Sequence, residues 1–486
     1  MSQHVPGVGR RLGRRARLWS PLWSITLVAL AACGEGGSTG DDSGPVSAGT
    51  LAYVVARCRE EAGKYVFGPD TLQIKRGDRD PVTVMEVPAS TPAPSVGVCK
   101  SFGLRRAPPG QLSLFGAFTR VAVSPDGSTV VFEVTDEFAV ETRHLSPQQK
   151  QIFLVRADGS GLRPLGPASR VASGGNWQGF RFNPDGRKVV FNDRGSDHAG
   201  NEASQVVLLD IATGTRTQVT HLSPGPPGTD DSICCPRFVD DKTIAFRTTL
   251  NADGLHPEGG LFTVGTDGKK LKAVQLPVVL PGSRIEPNFV ITGDQPAAAT
   301  YFLDGTAVNP REGNVIREVF LVDGTNLLQL TNFQRTDTQH VLLGVDRQRV
   351  FFAASANQLG TNPAENCQVF SVDVTGANLR QLTHFSEGQH SVFGCQPGVT
   401  GGRKPLGCYV ARLFQDPVTQ TVAFLSMCDP FGSNPYGSQV FSVRPDGTDL
   451  RQLTNLRGVM TDAGGAFTAE LLGFFAYPGQ GSSFSD

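Results

Sequence analysis

The chain lacks the usual parts of an enzyme core. It has no phosphate-binding P-loop, HExxH pair or Rossmann glycine fingerprint, which removes the common nucleotide-binding and zinc-protease frameworks. The one literal G-x-S-x-G match, GGSTG from Gly36 to Gly40, lies in a Gly/Ser/Asp stretch and not on a strand-to-helix elbow. No helical segment is present from which an α/β-hydrolase domain could be built. Neither charge sign dominates, with 44 Lys+Arg against 45 Asp+Glu, so there is no electrostatic footprint for nucleic acid. Paired CxxC spacing is absent, and no apolar run reaches the roughly twenty residues of a spanning helix.

What the chain does have is repetition. QIFLVRADGSGLRPLG from Gln151 returns as QVVLLDIATGTRTQVT from Gln205, GLFTVGTDGKKLKAVQ from Gly260 and EVFLVDGTNLLQLT from Glu318. It returns again as QVFSVDVTGANLRQLT from Gln368 and QVFSVRPDGTDLRQLT from Gln439. The starts are 50 to 71 residues apart, room for about four strands of five to six residues plus their loops. A second hairpin precedes each copy, clearest in RVAVSPDGSTVVFEV from Arg120 and GFRFNPDGRKVVFNDR from Gly179. There Pro125 and Pro184 preset φ, while Gly127 and Gly186 supply the positive φ of the turn. One such unit cannot bury its own apolar face, so the copies must stack. Four-stranded antiparallel sheets, with strands lettered A to D, repeating around an axis predict an all-β propeller.

Blade counting turns on the chain ends. LAYVVARC from Leu51, TLQIKRG from Thr71 and VTVMEVP from Val82 read as strands B, C and D of a blade with no A strand before them. AELLGFFAYP from Ala469 is apolar and would supply it. The expectation is seven four-stranded blades, with six or eight as alternatives, closed by the C-terminal strand.

The pattern xxSPDGxxVxF followed by QVFxVxxDGxxLxQLT resembles the repeat of the TolB-like propeller family over roughly residues 50–478. Related repeats form the propellers of prolyl-oligopeptidase-type peptidases and oligogalacturonide lyases, so the resemblance implies a fold and no single activity. TolB carries an α/β domain before its propeller, whereas about seventeen residues separate Cys33 from Leu51 here. TolB is also not lipid-anchored.

The N-terminus resembles a bacterial lipoprotein signal. Arg10, Arg11, Arg14, Arg15 and Arg17 precede a short apolar stretch ending Leu30-Ala31-Ala32-Cys33. That resemblance implies cleavage of residues 1–32, diacylation of Cys33 and a Gly/Ser/Asp tether over residues 33–50, leaving 51–486 as one propeller domain. Removal of the signal would leave 39 Lys+Arg against 45 Asp+Glu. The expected location is the bacterial cell envelope, with Gly34 after the cysteine pointing to the outer membrane. Contact with membrane would be through the lipid alone.

Nine cysteines less Cys33 leave an even eight, which suits an exported, disulfide-bearing chain. On the predicted strands Cys58 and Cys428 end B strands, and Cys408 and Cys234-Cys235 begin A strands. Cys367 begins a C strand, while Cys99 and Cys395 lie in D-to-A insertions, so all eight share one face. Cys408–Cys428 is the pairing expected from hairpin register. Cys58–Cys99 and Cys367–Cys395 are plausible by proximity, and Cys234–Cys235 as a vicinal bridge by elimination.

That face also carries the B-to-C loops, and loops on a rigid ring are the natural place for function. His144, His198 and His256 lie in three successive such loops and are candidate ligands for a divalent metal, the alternative being solvated loop histidines. Asn309, Asn362 and Asn434 each precede proline, which suits a turn and alternatively a ring of ligand-binding amides. Trp177, the only tryptophan beyond residues 1–32, falls beside the same face. The reading these residues support is a lipid-anchored binding or scaffolding module for an envelope protein or glycan, with no cofactor expected. A metal-dependent polysaccharide lyase or hydrolase and a purely structural envelope protein are the alternatives.

Overall fold

The computed structural model describes residues 49–61, 64–88, 117–135, 145–170, 179–226, 233–257, 259–274, 284–290, 297–304, 315–323, 326–333, 338–386, 410–433, 438–461, 467–479 and 481. All of them belong to one compact unit, Pro45–Asp486. Every regular element among them is a strand.

Six sheets are four-stranded, antiparallel and connected strand to next strand, as the repeat predicts. The first runs Phe118–Val123, Thr129–Val134, Gln151–Arg156, Arg163–Pro167. The last runs Val410–Gln415, Val422–Ser426, Gln439–Val443, Arg451–Gln452. The remaining sheet gathers both chain ends, in the order Gly458–Thr461, Phe467–Ala476, Thr50–Glu61, Asp70–Arg76, Val82–Val87, with Lys64–Phe67 added beside Thr50–Glu61. The expected seven four-stranded blades are therefore corrected to six, with a six-stranded sheet beside them. The C-terminal strand does pair with the first one, Ala52 opposite Ala476 through Arg59 opposite Thr468. The extra strands pair only with the far ends of these two long strands, Glu61 opposite Lys64 and Gly458 opposite Glu470.

Blade strands are buried on both faces, because each sheet packs between neighbours. Val410–Gln415, Val422–Ser426 and Gln439–Val443 are buried at every position, and a strand covered on both sides reads as a continuous apolar run. The two phenylalanines of the repeat, in VxF and QVF, are direct cross-strand partners. Phe132 stands opposite Phe153, Phe246 opposite Phe262, Phe352 opposite Phe370 and Phe424 opposite Phe441. Their ring centroids are 5.4 to 6.0 Å apart and the rings stack. Such pairs add about 0.5–1.5 kcal/mol beyond the area they bury.

The polar letters of the repeat form a clasp. Gln368 Oε1 accepts from Thr383 Oγ1 (2.8 Å) and from the Phe385 amide (3.0 Å), while its Nε2 donates to the Phe385 carbonyl (2.8 Å). The Val369 amide donates in turn to Thr383 Oγ1 at 2.9 Å. Gln205 with Thr220 and Leu222, and Gln439 with Thr454 and Leu456, repeat this arrangement. The other glutamine of QLT donates to the threonine carbonyl two residues on, as in Gln381 Nε2 to Thr383 O at 2.7 Å and Gln452 Nε2 to Thr454 O at 2.8 Å. The outermost strand is only two residues long here, so side chains do what its short ladder cannot.

Candidate functional site

The predicted face is built as follows. Cys234 and Cys235 form a vicinal disulfide, with Cα atoms 3.7 Å apart, at the start of an innermost strand. Cys58, Cys367 and Cys428 are each disulfide-bonded. Cys99, Cys395 and Cys408 lie outside the described residues, as do Cys33, His144, Trp177, Asn309 and Asn434.

His198 and His256, the described members of the predicted metal trio, have separate partners. His198 stacks on His221, ring centroids 4.6 Å apart. His256 Nδ1 lies 2.8 Å from Asp253 Oδ2, with its ring edge-on to Phe262. Among the described residues no three His, Cys, Asp or Glu side chains are grouped to hold a metal ion.

Asn362 is also placed against a ligand role. It is 2% exposed, and its Nδ2 donates to the carbonyls of Ala356 and Asn366 at 3.0 and 2.8 Å. Its Oδ1 accepts from the Asn366 amide and from Gln368 Nε2. The amide is consumed in shaping the turn into its strand, so the turn reading of Asn-Pro holds here and the ligand-ring reading does not.

A cleft of about 570 Å³ opens on the opposite face, among the A-to-B and C-to-D turns, between the last four-stranded blade and the six-stranded sheet. Sequence reasoning missed it because its charges come from turn residues of separate repeats. Arg349, Arg444, Arg451, Asp78, Asp446 and Asp449 line it. Arg451 Nε donates to Asp449 Oδ1 at 2.7 Å, which raises the guanidinium's pKa, and its Nη1 lies 3.8 Å from Asp78 across the two sheets. The Thr448 hydroxyl and amide hold the Asp446 carboxyl below the usual carboxylate range. Lys75 Nζ donates to the Leu453 carbonyl (2.9 Å), a second tie between the sheets. At the floor Tyr477 is buried, which pushes its pKa up to about 12. The cleft thus presents interleaved cations and anions on turns of two sheets.

Fold and surface together define an all-β propeller with six four-stranded blades, buried Gln–Thr networks in three of them and a charged cleft on its turn face. No family model matches the chain, and no curated protein matches it. It is similar to the solved structure of TolB from Acinetobacter baumannii at 13% identity and TM-score 0.34, covering 67% of this chain and 62% of that one. It is similar at 12% identity and TM-score 0.45 to the β-propeller domain of the Trilobed protease from Pyrococcus furiosus, covering 84% and 95%. An oligogalacturonate lyase from Vibrio parahaemolyticus matches at 10% identity and TM-score 0.43, covering 80% and 91%. None of these similarities assigns an activity to this chain.

Proposed function

We propose that this chain is a lipid-anchored propeller of the bacterial cell envelope that binds or scaffolds an envelope protein or glycan. The observation that carries the reading is the cleft of mixed charge between the last blade and the six-stranded sheet. Its walls are held by the buried Gln–Thr clasps and stacked phenylalanines of the blades, so the turns that display Arg349, Arg444 and Arg451 stand on a rigid base. Rigid display with both charge signs favours register-specific contact with a polar partner. The Leu-Ala-Ala-Cys33 sequence supports the anchor and the envelope location.

Crosslinking the anchored protein in intact cells, followed by identification of what it captures, tests this. A reproducible protein or glycan partner is expected, lost in an Arg444→Glu, Arg451→Glu double variant whose thermal unfolding is unchanged. Capture that persists undiminished in that variant would remove the cleft from the binding surface.

A further inference from the structure

Two arginines at matching positions on neighbouring innermost strands have no anionic partner among the described residues. Arg181 stands opposite Val190 and Arg237 opposite Ala245 in their sheets, each directly before a buried phenylalanine, Phe182 or Phe238. Arg237 is 4% exposed, and its Nη1 is buried without a hydrogen-bond partner. Arg181 is half-buried, and its Nη1 donates to the neighbouring Phe180 carbonyl at 3.1 Å. Elsewhere the chain compensates its buried arginines. Arg120 is paired with Glu133, Arg216 with Asp193, and Arg412 lies over the Phe474 ring at 4.6 Å. A buried guanidinium without such a partner, as at Arg237, is expensive. Burial pulls Arg237 down to about 9, with the charge of Arg181 adding to the effect, and pulls Arg181 down to about 10.

The local backbone is built to aim these groups. The ladder of the Arg237 strand breaks between Cys234 and Arg237, where Cys235 takes a φ of 58°, Pro236 offers no amide donor and the vicinal disulfide locks the bulge. At Arg181 the guanidinium folds over Gly179, where a Cβ would come within 2.8 Å of Nη1. The Phe474 ring, from the six-stranded sheet, lies 4.0 Å from that same point, so non-adjacent sheets approach one another beside Gly179.

We propose that the axis of the propeller is an oxyanion site, in which a carboxylate or phosphate group sits between Arg181 and Arg237 and accepts N–H donors from both. Planar guanidinium forks match these two groups, and water exclusion strengthens each bond. The site is independent of the turn-face cleft and of what that cleft binds.

Calorimetric titration of the detergent-solubilised full chain with inorganic phosphate, and separately with acetate, tests it against chloride at matched ionic strength. Saturable binding of at least one of the two anions is expected, weakened about tenfold or more by Arg237→Met and by Arg181→Met. Methionine removes an uncompensated charge at similar volume, so both variants should melt at or above the wild-type temperature in anion-free buffer. Tighter binding of acetate identifies a carboxylate-bearing ligand and tighter binding of phosphate a phosphorylated one. Absence of saturable binding for both anions, or unchanged affinity in both variants, overturns the proposal.

Discussion

Gln368 and Thr383, fifteen residues apart, meet across 2.8 Å inside their blade, and the contact recurs between Gln439 and Thr454 at 2.6 Å. Both partners are buried, so the glutamine amide and threonine hydroxyl have no water to fall back on. Gln368→Leu should strand the Phe385 amide and the Thr383 hydroxyl and cost about 1–3 kcal/mol in denaturant unfolding. Gln368→Glu should cost less. Glu318 already occupies the equivalent position, with its Oε1 accepting from the Phe333 amide at 2.6 Å. Equal losses for the two variants would show that the contact is packing and not hydrogen bonding.

Arg120 and Glu133 make the other buried polar centre. Arg120 Nη1 donates to both carboxylate oxygens at 3.0 and 3.1 Å, the Ser169 amide donates to Glu133, and Arg120 Nη2 reaches Asn192 in the next blade. Either single replacement, Arg120→Met or Glu133→Leu, should destabilise by about 3–5 kcal/mol because it leaves one buried charge unpaired. The double variant should lose less than either single. A double-mutant cycle by equilibrium unfolding reads this directly, and strictly additive losses would contradict it.

How far these centres were legible follows from which contacts are local. The Pro-Asp-Gly turns could be read outright, and Gly127 and Gly186 do take φ of 71°. Closure by Phe467–Ala476 was also visible, since Thr50–Glu61 had no partner before it in the chain. Lys64–Phe67 and Gly458–Thr461 were not, because four-residue strands pairing only with strand ends carry no periodicity of their own. Asn362 was readable from its Asn-Pro context as a turn residue, and its amide is spent inside that turn. The matching places of Arg181 and Arg237 were hidden altogether, since positions fifty-six apart come onto neighbouring innermost strands only in the folded ring.

Tyr53 and Tyr477, both buried, have pKa values pushed up to about 12, by burial first and then by the charge of Glu470 for Tyr53 and of Asp416 for Tyr477. The ordinary phenol value is about 10. A folded-state pKa above the unfolded one means the stabilisation is complete below about pH 10 and is lost as pH rises toward 12. Unfolding midpoints should therefore fall steeply across that window, with phenolate absorbance rising in step. Tyr477→Phe should flatten the fall, and an unchanged alkaline profile in that variant would remove Tyr477 as its cause.

One disulfide of the last blade is expected from the sequence and open to test. Val410 stands opposite Ser426, and Cys408, expected to pair with Cys428, lies outside the described residues. Cys428 is disulfide-bonded, and the expected product of non-reducing peptide mapping is a Cys408–Cys428 crosslink. A competitor is near at hand, because the Val410 amide donates to Cys367 Sγ at 3.2 Å, which puts a second sulfur beside the same strand. If mapping returns Cys367–Cys408 instead, the expected Cys408–Cys428 pairing is overturned. Cys234 and Cys235 should appear in one peptide in either case, two mass units lighter than its reduced form, since their bridge closes on adjacent residues.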